Sequence, residues 1–344
     1  MDAVTQAPGA ESRIGSGERG RRSTAIVAIV VPVLNDAESL EHLISALDQQ
    51  AGLQPYALHI LVVDDGSFPP LAGRLEPHRR GGGAVARLRV VTAPTNLGHQ
   101  RAIALGLVEA SAIPDLFATV VMDADGEDRP EDVARLLQFA DEHPDCILLA
   151  QRSKRSEGLI FKTFYALYRC AFYLFTGRNI HFGNFCLIPA KFLRAITHSP
   201  ATWNNLAASL MRARLPTSLI KSERGVRYAG RSKMTFVSLA IHGLSAISVY
   251  TDVVLVRVIC GALAVGVVTF LALGVVVGLR VFTGLAIPGW ASYVGVSLLV
   301  ILFQAVMFAT IALFQFLSLR SVPGVVPALY ARQLLSDLET GRVD

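Results

Sequence analysis

Charged residues are scarce in this sequence: they make up 17% of its 344 residues, whereas hydrophobic residues make up 52%. This balance excludes an ordinary water-soluble enzyme and predicts membrane spans. The net charge of +5 is too small to indicate a nucleic-acid partner, and a weakly basic surface suits anionic lipid or a phosphorylated substrate equally well.

Cysteine is also scarce, and the phosphate-binding loop of P-loop NTPases is absent. The four cysteines are scattered, with no CxxC pair and no histidine partner at metal-ligand spacing. This pattern argues against a disulfide framework and a zinc site, and it fits a reducing compartment. GxxxxGK[ST] does not occur, which excludes the loop of P-loop NTPases. GxGxxG occurs only at Gly15–Gly20, which does not follow a predicted strand as the loop of dinucleotide enzymes does.

The amino-terminal residues 1–22 are rich in Gly, Ser, Arg and Glu and contain few large apolar side chains. Such a segment buries too little surface to offset its ordering entropy, so it is predicted to be a disordered tail. The next apolar run, Ala25 to Leu34, is too short to cross a bilayer and shows no small-residue cleavage pattern. It is predicted to be a buried first strand.

Two long apolar runs occupy the carboxy-terminal part of the chain. Between Val253 and Leu319 the only charged residues are Arg257 and Arg280. Each run is long enough to cross the hydrocarbon core as a helix, and neither shows the polar face of a helix from a soluble protein. The region 253–320 is therefore predicted to be a transmembrane hairpin.

The basic residues predict how that hairpin is oriented. Its turn carries only Arg280, whereas its two ends are flanked by basic residues, namely Lys221, Arg224, Arg227, Arg231, Lys233, Arg257, Arg320 and Arg332. The positive-inside bias therefore places the large amino-terminal domain and the tail 321–344 in the cytoplasm. The segment 231–252 mixes apolar and polar residues, which fits either an interfacial amphipathic helix or a plain linker helix.

Residues 23–230 alternate between strand and helix patterns, which is typical of a mostly parallel sheet with helices on both faces. The predicted strands are 25–34, 58–63, 88–92, 117–122 and 147–150, and the predicted helices are 37–49, 100–110 and 131–142. Ligands of such sheets bind beyond the carboxyl ends of the strands. The polar clusters that follow three of these strands, Asn35, Asp64-Asp65 and Asp123-Ala124-Asp125, therefore predict the site.

Asp123 and Asp125 are candidate metal ligands. They follow a buried strand directly, and alternate residues of an extended chain share a face, so both carboxylates can point into one cleft. Paired carboxylates suit Mg²⁺ or Mn²⁺, which take phosphate oxygens of a substrate as further ligands. An Asp-x-Asp pattern alone more often marks a solvated turn. Its position at a strand end, together with a second acidic cluster at another strand end, favours the metal site.

Asp64 and Asp65 are candidates for hydrogen bonding to the base or ribose of a nucleotide, as acidic groups at strand ends do in nucleotide sites. The alternative is a plain turn that ends the strand, because Asp and Gly are favoured there.

The order of these motifs resembles the polyprenyl-phosphate glycosyltransferases, a group of inverting GT-A-fold enzymes that includes dolichyl-phosphate mannose synthase and the bactoprenol glucosyltransferases. Residues 31–36 read Val-Pro-Val-Leu-Asn-Asp, and residues 62–67 read Val-Val-Asp-Asp-Gly-Ser. Asn96-Leu97-Gly98 comes next, and the metal motif with its tail covers residues 123–131. Residues 224–233 resemble the Arg-x-x-Gly-x-Ser-Lys segment that precedes the membrane region.

The resemblance implies an α/β fold with a GT-A-type mostly parallel sheet and flanking helices, followed by interfacial helices and a two-helix transmembrane hairpin. It implies inverting, metal-dependent transfer of a hexose from a UDP- or GDP-sugar to undecaprenyl or dolichyl phosphate at the cytoplasmic face of the membrane. Mg²⁺ or Mn²⁺ then stabilises charge on the departing nucleoside diphosphate. The acceptor phosphate is already anionic, so the reaction requires no strong general base.

Site residues carry over from the resemblance by position. It assigns the nucleotide pocket to Pro32, Asn35, Asp36 and Asp65, and the metal and diphosphate to Asp123 and Asp125, with Asp125 as the direct ligand. It assigns acceptor phosphate to Arg152, which follows the fifth predicted strand. Arg227 and Lys233 are expected to hold phosphates close to the membrane. The alternative for these three basic residues is a role in surface solubility or in attracting lipid headgroups.

The chain departs from the family pattern at Asn184 and Cys186, where the family has Asp and Arg, and this implies a divergent donor or acceptor. Two alternatives stay open. One keeps the fold but transfers sugar to a glycan, a diacylglycerol or a growing polymer, although the Gln-x-x-Arg-Trp motif of processive synthases is absent. The other is a non-catalytic membrane scaffold that binds nucleotide-sugar. Glycines in the predicted spans also permit a homo-oligomer.

Overall fold

The structure is a computed structural model that describes residues 24–71, 74–75, 83–152, 159–179, 182–229, 236–283, 289–321 and 324–340. The predicted disordered tail 1–22 and Lys233 lie outside these residues. The chain divides into two compact units. Unit 1 consists of Met1–Thr163, Ile180–Val249 and Val325–Asp344, and unit 2 consists of Phe164–Asn179 and Tyr250–Gly324.

Unit 1 is built on a seven-stranded sheet. Its strands are β1 (Ala25–Val33), β2 (Tyr56–Asp64), β3 (Val85–Thr92), β4 (Leu116–Val121), β5 (Ile147–Arg152), β6 (Cys186–Pro189) and β7 (Thr217–Ser222). Their order across the sheet is β3-β2-β1-β4-β6-β5-β7. Neighbouring strands are parallel, except that β6 is antiparallel to both β4 and β5. The predicted fold class, a mostly parallel sheet with flanking helices, is confirmed.

The helices are numbered in chain order. They are α1 (Ala37–Gln49), α2 (His99–Ser111), α3 (Pro130–Glu142), α4 (Leu159–Thr176), α5 (Ala190–Thr197), α6 (Pro200–Asn204), α7 (Leu206–Arg212), α8 (Phe236–Ser248), α9 (Thr251–Phe282), α10 (Trp290–Ser321) and α11 (Pro327–Thr340). Helices α9 and α10 belong to unit 2, and the chain passes between the units within α4.

The alternation of side chains in β1 explains the layers of unit 1. Val27, Ile29 and Val31 point to one face of the sheet, where they pack with residues of α1 and α3. Ala28 and Val30 point to the other face, towards residues of α2, α5 and α7. All five side chains are buried, because a central parallel strand is covered on both faces. This explains why its sequence is apolar throughout.

The order of the strands places the site. The chain runs from β1 to β2 and β3 on one side, and then returns through α2 to pair β4 with the other edge of β1. The carboxyl ends of β1 and β4 are therefore neighbours at the point where the winding direction reverses. Crevices at such switch points bind ligands in open α/β sheets.

Strand β7 and helix α11 are two of the elements that the sequence did not predict. Strand β7 has the mixed sequence Thr-Ser-Leu-Ile-Lys-Ser, and it pairs in parallel with β5. Helix α11 packs on α2, where its Ala328 and Ala331 are buried in the same cluster as Leu105. The ring of Tyr330 meets the ring of Trp203 edge-on at 5.0 Å. The region 321–344, expected as a tail, thus contains a helix that is part of unit 1.

Helices α9 and α10 of unit 2 have 32 residues each and are long and apolar enough to cross a membrane. Large apolar side chains such as those of Phe270 and Phe303 are exposed along them. The two helices pack together where Gly266 approaches Leu302 and Ala305. A pair of helices with this much exposed apolar surface fits a lipid environment.

Substitutions in α11 test its packing. Ala331 is fully buried, whereas Leu329 is 62% exposed on the same helix. Ala331→Gln should destabilise unit 1 by about 2 kcal/mol or more, because it overfills the contact with α2 and buries an amide. Leu329→Gln should leave the thermal unfolding of the detergent-solubilised protein nearly unchanged. Equal melting temperatures for the two variants would show that α11 is not docked.

Candidate active site

A cavity of about 940 Å³ lies at the carboxyl edge of the sheet in unit 1. Its walls include the ends of β1 and β4, the amino-terminal turn of α2, the residues before β6 and after β7, and one face of α8. This volume is in the range that small-molecule sites occupy.

Five of the ten predicted site residues line this cavity, namely Pro32, Asp36, Asp123, Asp125 and Arg227. The switch point between β1 and β4 brings the first four together. Arg227 comes from the segment after β7, and only the resemblance predicted it as a site residue.

Asn35, Asp64 and Asp65 support the loops behind the cavity and are not among its lining residues in the described part of the chain. The carboxylate of Asp64 accepts hydrogen bonds from the backbone N–H groups of Ser67 (2.9 Å) and Leu71 (3.1 Å). Asn35 accepts one from the backbone N–H of Phe68 at 2.8 Å. These contacts are those of the strand-ending turn that was the alternative for Asp64, and nucleotide binding by Asp64 stays a prediction.

Asp65 has a similar role on the other side of the loop. Its two carboxylate oxygens accept hydrogen bonds from the backbone N–H groups of Leu97 (2.6 Å) and Gly98 (2.9 Å). Burial raises the pKa of Asp65, and these two bonds oppose that rise. Gly98 is the N-cap of α2 and has a φ of 92°, so Asp65 fixes the strained turn from which α2 starts.

The structure describes neither the side chain of Arg152 nor any part of Lys233. Arg152 is the last residue of β5, and its backbone pairs with Ser222 of β7. Its side chain, like the whole of Lys233, lies outside what the structure describes.

The segment 223–228, which we call the strap, pairs with the metal motif. The backbone N–H of Tyr228 donates to the carbonyl of Asp125, and that of Gly225 donates to the carbonyl of Glu127, each at 2.9 Å. Gly126 lies between these two contacts with a φ of 87°. The ring of Tyr228 covers Gly126 so closely that a Cβ there would be 2.7 Å from Cδ2 of the ring.

The strap carries two arginines to the acidic motif. Nη2 of Arg227 donates to Oδ2 of Asp125 at 2.6 Å and lies 3.4 Å from Oε1 of Glu127. Arg224 forms an ion pair with the same Oε1 of Glu127. Three carboxylates and two guanidinium groups thus share one wall of the cavity.

The pKa of Asp125 is raised even with Arg227 beside it. Burial raises the pKa of Asp125, and the nearby carboxylates of Asp123 and Glu127 raise it further. The backbone N–H of Glu127 and the guanidinium of Arg227 lower the pKa, but the net shift is upward. The electrostatics of this wall therefore favour an additional cation.

The carboxylates fit a divalent cation that is shared with a substrate. No group of three or more His, Cys, Asp or Glu residues that could hold a metal ion occurs among the described residues. Asp123 and Asp125 can supply oxygen ligands, and the wall needs positive charge. Mg²⁺ and Mn²⁺ commonly take few protein ligands and complete their shell with phosphate and water. The residues fit such an ion but not one held by protein ligands alone.

The wall beside Asp123 has a different character. Nε2 of His99 lies 3.5 Å from Oδ1 of Asp123, and Nδ2 of Asn184 lies 3.2 Å from the same ring nitrogen. From α8, His242 also lines the cavity, and burial lowers its pKa. This wall therefore offers neutral hydrogen-bonding side chains beside the carboxylate of Asp123.

Sequence reasoning missed most of this second wall. It noted Asn184 and Cys186 only as departures from a family pattern. The structure puts Asn184 in the cavity lining, whereas Cys186 is buried in the core of the sheet, where burial raises the pKa of its thiol. The amino end of an antiparallel strand lies at the same edge as the carboxyl ends of its neighbours. Because β6 was not predicted, this placement of Asn184 could not be foreseen.

Comparison with known proteins relates part of unit 1 to a known family. Residues 28–193, which include most of β1 and all of β2 to β6, match the family described as "Glycosyl transferase family 2". The protein is therefore a glycosyltransferase, and the resemblance found in the sequence motifs is confirmed.

The chain is also similar to curated proteins over most of its length. It is 27% identical over 286 residues to the undecaprenyl-phosphate 4-deoxy-4-formamido-L-arabinose transferase of Yersinia pestis (strain Pestoides F), covering 81% of this chain and 83% of the relative. The protein of the same name from Yersinia pseudotuberculosis serotype O:3 (strain YPIII) matches with the same identity and coverage.

Two solved structures align with about two thirds of this chain. The glucosyl-3-phosphoglycerate synthase of Mycobacterium tuberculosis, in complex with Mn²⁺, UDP and phosphoglyceric acid, aligns with a TM-score of 0.45 at 14% identity, covering 68% of this chain and 78% of that one. The mannosyl-3-phosphoglycerate synthase of Rubrobacter xylanophilus aligns with a TM-score of 0.43 at 15% identity, covering 65% and 72%.

A substitution at Gly126 tests the contact between the strap and the metal motif. In Gly126→Ala the added Cβ would collide with the ring of Tyr228, and the φ of 87° would be strained. We expect the strap to detach, so that trypsin cleaves after Arg224 and Arg227 at least about ten times faster than in the wild type.

The double variant Gly126→Ala/Tyr228→Ala separates the two causes. It removes the collision and leaves the φ strain, so it should slow cleavage relative to a protein carrying Gly126→Ala alone. Mass spectrometry of the fragments identifies the cleaved bonds. If Gly126→Ala leaves the cleavage rate at Arg224 and Arg227 unchanged, the strap is not held as described.

Proposed function

We propose that this protein transfers a hexose from a nucleotide-sugar to a polyprenyl phosphate at the cytoplasmic face of the membrane, with inversion at the anomeric carbon and with the help of Mg²⁺ or Mn²⁺. One observation carries the proposal: the Asp123–Asp125 pair and the strap arginines Arg224 and Arg227 line one cavity of a glycosyltransferase domain.

The charges of that cavity suit two phosphate-bearing substrates. Asp123 and Asp125 would hold a divalent ion together with the diphosphate of the donor. The ion, when bound, stabilises the negative charge that develops on the departing nucleoside diphosphate. Arg224 and Arg227 supply positive charge that reduces the repulsion between the donor diphosphate and an acceptor phosphate.

The reaction balances without a proton transfer. An oxygen of the acceptor phosphate forms the new bond to the anomeric carbon, and the bond from that carbon to the oxygen of the donor diphosphate breaks. The bonding electrons leave with the nucleoside diphosphate. A phosphate monoester is already anionic near pH 7. The side chains of this chain therefore have to align and neutralise phosphates, and a single in-line displacement inverts the anomeric centre.

The acceptor class is supported by the relatives and by the walls of the cavity. The Yersinia relatives are named as undecaprenyl-phosphate sugar transferases, and the match covers most of both chains. Ile241 of α8 lines the cavity, and Leu244 of the same helix is 64% exposed. A lipid phosphate would present its charged head to the arginines and its apolar chain to such a surface. The nucleotide, UDP or GDP, is left to experiment.

Glycosyl transfer onto undecaprenyl phosphate is the direct test. The full-length protein in detergent or nanodiscs, given undecaprenyl phosphate, Mn²⁺ and in turn UDP- and GDP-sugars, should form one glycolipid that mass spectrometry identifies. Chelation of the metal with EDTA should stop product formation, and added Mg²⁺ or Mn²⁺ should restore it.

The variant Asp125→Ala should lower the rate of product formation at least about 100-fold, because it removes the direct metal ligand. Asp115→Asn is a matched control, since Asp115 is exposed and lies at the turn before β4, away from the cavity lining. Wild-type turnover in the Asp125 variant would contradict the role given to this carboxylate. Nucleotide binding without turnover on any lipid phosphate would instead favour the non-catalytic scaffold.

Connectivity and charge support the cytoplasmic orientation. The chain leaves unit 1 after Val249 and returns to it at Val325. Both ends of the α9–α10 pair are therefore joined to the same folded unit, which requires an even number of crossings. The basic residues near those ends, against the single Arg280 near the turn, favour the cytoplasm for unit 1.

Reporter fusions test this orientation. Green fluorescent protein fused after Asp344 should fluoresce in a bacterial host, and alkaline phosphatase fused there should be inactive. Phosphatase fused after residue 285, in the predicted turn, should be active because it reaches the oxidising side. The opposite pattern of activities at the two fusion points would reverse the proposed orientation.

A further inference from the structure

Arg101 is a cavity-lining residue that the proposed chemistry does not use. It belongs to the first turn of α2, and it is exposed. The other arginines in the described lining are Arg224 and Arg227 of the strap, and both are paired with carboxylates. Arg101 forms no ion pair with a carboxylate in the part of the chain that the structure describes. Its charge is therefore available to a ligand.

An aromatic contact holds Arg101 in place. Its Cζ lies over the indole ring of Trp203, 5.8 Å from the ring centroid. Trp203 is buried, and its edge-on contact with Tyr330 joins it to α11. A guanidinium held over an aromatic ring stays charged and keeps N–H groups for other partners. The contact with Trp203 thus positions the cation without neutralising it.

Arg101 lies on a different part of the cavity wall from Asp123. His99 and Arg101 are two positions apart in α2, and helical side chains at that spacing do not face each other. Nε2 of His99 lies 3.5 Å from Oδ1 of Asp123, whereas Arg101 lies at Trp203 of α6. The cavity therefore has a cation apart from the carboxylates of the metal motif.

A second phosphate in the cavity needs such a cation. On the wall of the metal motif three carboxylates face two guanidinium groups, so that wall carries an excess of negative charge. A divalent ion would neutralise the diphosphate of a nucleotide-sugar but would leave this excess in place. An acceptor phosphate is also anionic near pH 7, and the wall would repel it unless another cation offset its charge. Arg101 supplies that cation.

The surroundings of Arg101 also suit the apolar part of a lipid. Helix α6, which carries Trp203, packs against α8. Ile241 of α8 lines the cavity, and both Ile241 and Leu244 are exposed. These two residues are three positions apart, so they share one face of the helix. A phosphate bound at Arg101 would leave its hydrocarbon chain near this apolar face.

We propose that Arg101, held over the ring of Trp203, binds the phosphate of the lipid acceptor, with the adjoining hydrocarbon chain along the apolar face of α8. This rests on the proposed function, because it assumes a lipid phosphate acceptor and a donor diphosphate at Asp125. Arg101 is the residue that contacts the phosphate, and Trp203 is the positioning residue that holds Arg101.

Binding of farnesyl phosphate tests the contact without a known donor sugar. The full-length protein in detergent is titrated with farnesyl phosphate and, as a probe without the phosphate, with farnesol. UDP and GDP, each with Mg²⁺, report on the donor pocket. Arg101→Gln should raise the Kd for farnesyl phosphate about tenfold, because a contact between opposite charges is lost. The Kd values for farnesol and for the nucleotide that binds should not change.

Arg194→Gln is the matched control. Arg194 is an exposed arginine on α5 of the same unit and is not one of the described residues that line the cavity. Its substitution removes the same charge from unit 1, so it should leave every Kd unchanged. A rise in the Kd for farnesyl phosphate as large as that in Arg101→Gln would show that only net charge matters, and it would overturn the inference.

A rescue experiment separates positioning by Trp203 from a structural role. Trp203→Leu removes the aromatic ring and should raise the Kd for farnesyl phosphate about threefold. Trp203→Phe keeps an aromatic face and should restore most of the affinity. The Kd for UDP or GDP and the melting temperature identify a variant that has lost its fold. If folded Trp203→Phe binds the probe as weakly as folded Trp203→Leu, the ring does not position Arg101.

Steady-state kinetics give a second readout on the true acceptor. In the transfer assay, Arg101→Gln should raise the KM for undecaprenyl phosphate about tenfold and leave the KM for the nucleotide-sugar nearly unchanged. Equal rises in both KM values would contradict a contact that is specific for the acceptor.

The outcomes separate this inference from the proposed function. If Arg101→Gln binds farnesyl phosphate like the wild type while product is still formed, the contact is overturned and the proposed function is not. The same holds if only Arg152→Gln weakens the probe. Weaker binding of UDP or GDP in Arg101→Gln would assign Arg101 to the donor and would also overturn the contact. A wild type that neither binds farnesyl phosphate nor glycosylates undecaprenyl phosphate would refute the proposed function, and the inference with it.

Discussion

The site depends on the need of closely spaced carboxylates for positive charge. Asp123, Asp125 and Glu127 follow one buried strand, and the surrounding protein removes much of the water that would otherwise screen them. Arg224 and Arg227 of the strap supply part of this positive charge. They lie about a hundred residues after the carboxylates in the sequence. The pKa of Asp125 stays raised, first because of burial and then because of the neighbouring carboxylates, so a cation bound beside it would stabilise its charged form.

The geometry of the sheet brings the acidic motif, the strap and Asn184 together. Parallel strands present their carboxyl ends at one edge, which explains why the metal motif after β4 and the strap after β7 meet there. Strand β6 runs the other way, so the residues just before its amino end, which include Asn184, reach that same edge. One reversed strand thus adds Asn184 to a site that would otherwise be built from strand ends of a single polarity.

Much of this fold was readable from the sequence because its signals are local. The apolar runs of β1, β2 and β4 and the acidic residues after them predict a parallel sheet and the edge that carries the site. Asp64 and Asp65 show where prediction from local signals ends. A carboxylate that binds a ligand and one that binds backbone N–H groups look alike in sequence. Strand β6 has four residues, too few for a periodic pattern, and the contacts of Asn184 with Gln100 and His99 depend on it. The partners of Arg227 likewise arise only from packing between distant segments.

Helix α11 constrains the membrane part as well as unit 1. Its Ala328 and Ala331 share a buried cluster with residues of β2, β3 and α2, so the chain must return to unit 1 after α10. A single crossing of the bilayer would place α11 on the side opposite the sheet and would expose this cluster to water. Two crossings by α9 and α10 avoid that cost, and their lengths of 32 residues each are sufficient for both. The packing of a small helix against the glycosyltransferase domain therefore argues for a hairpin independently of the charge distribution, which decides only which side the domain faces.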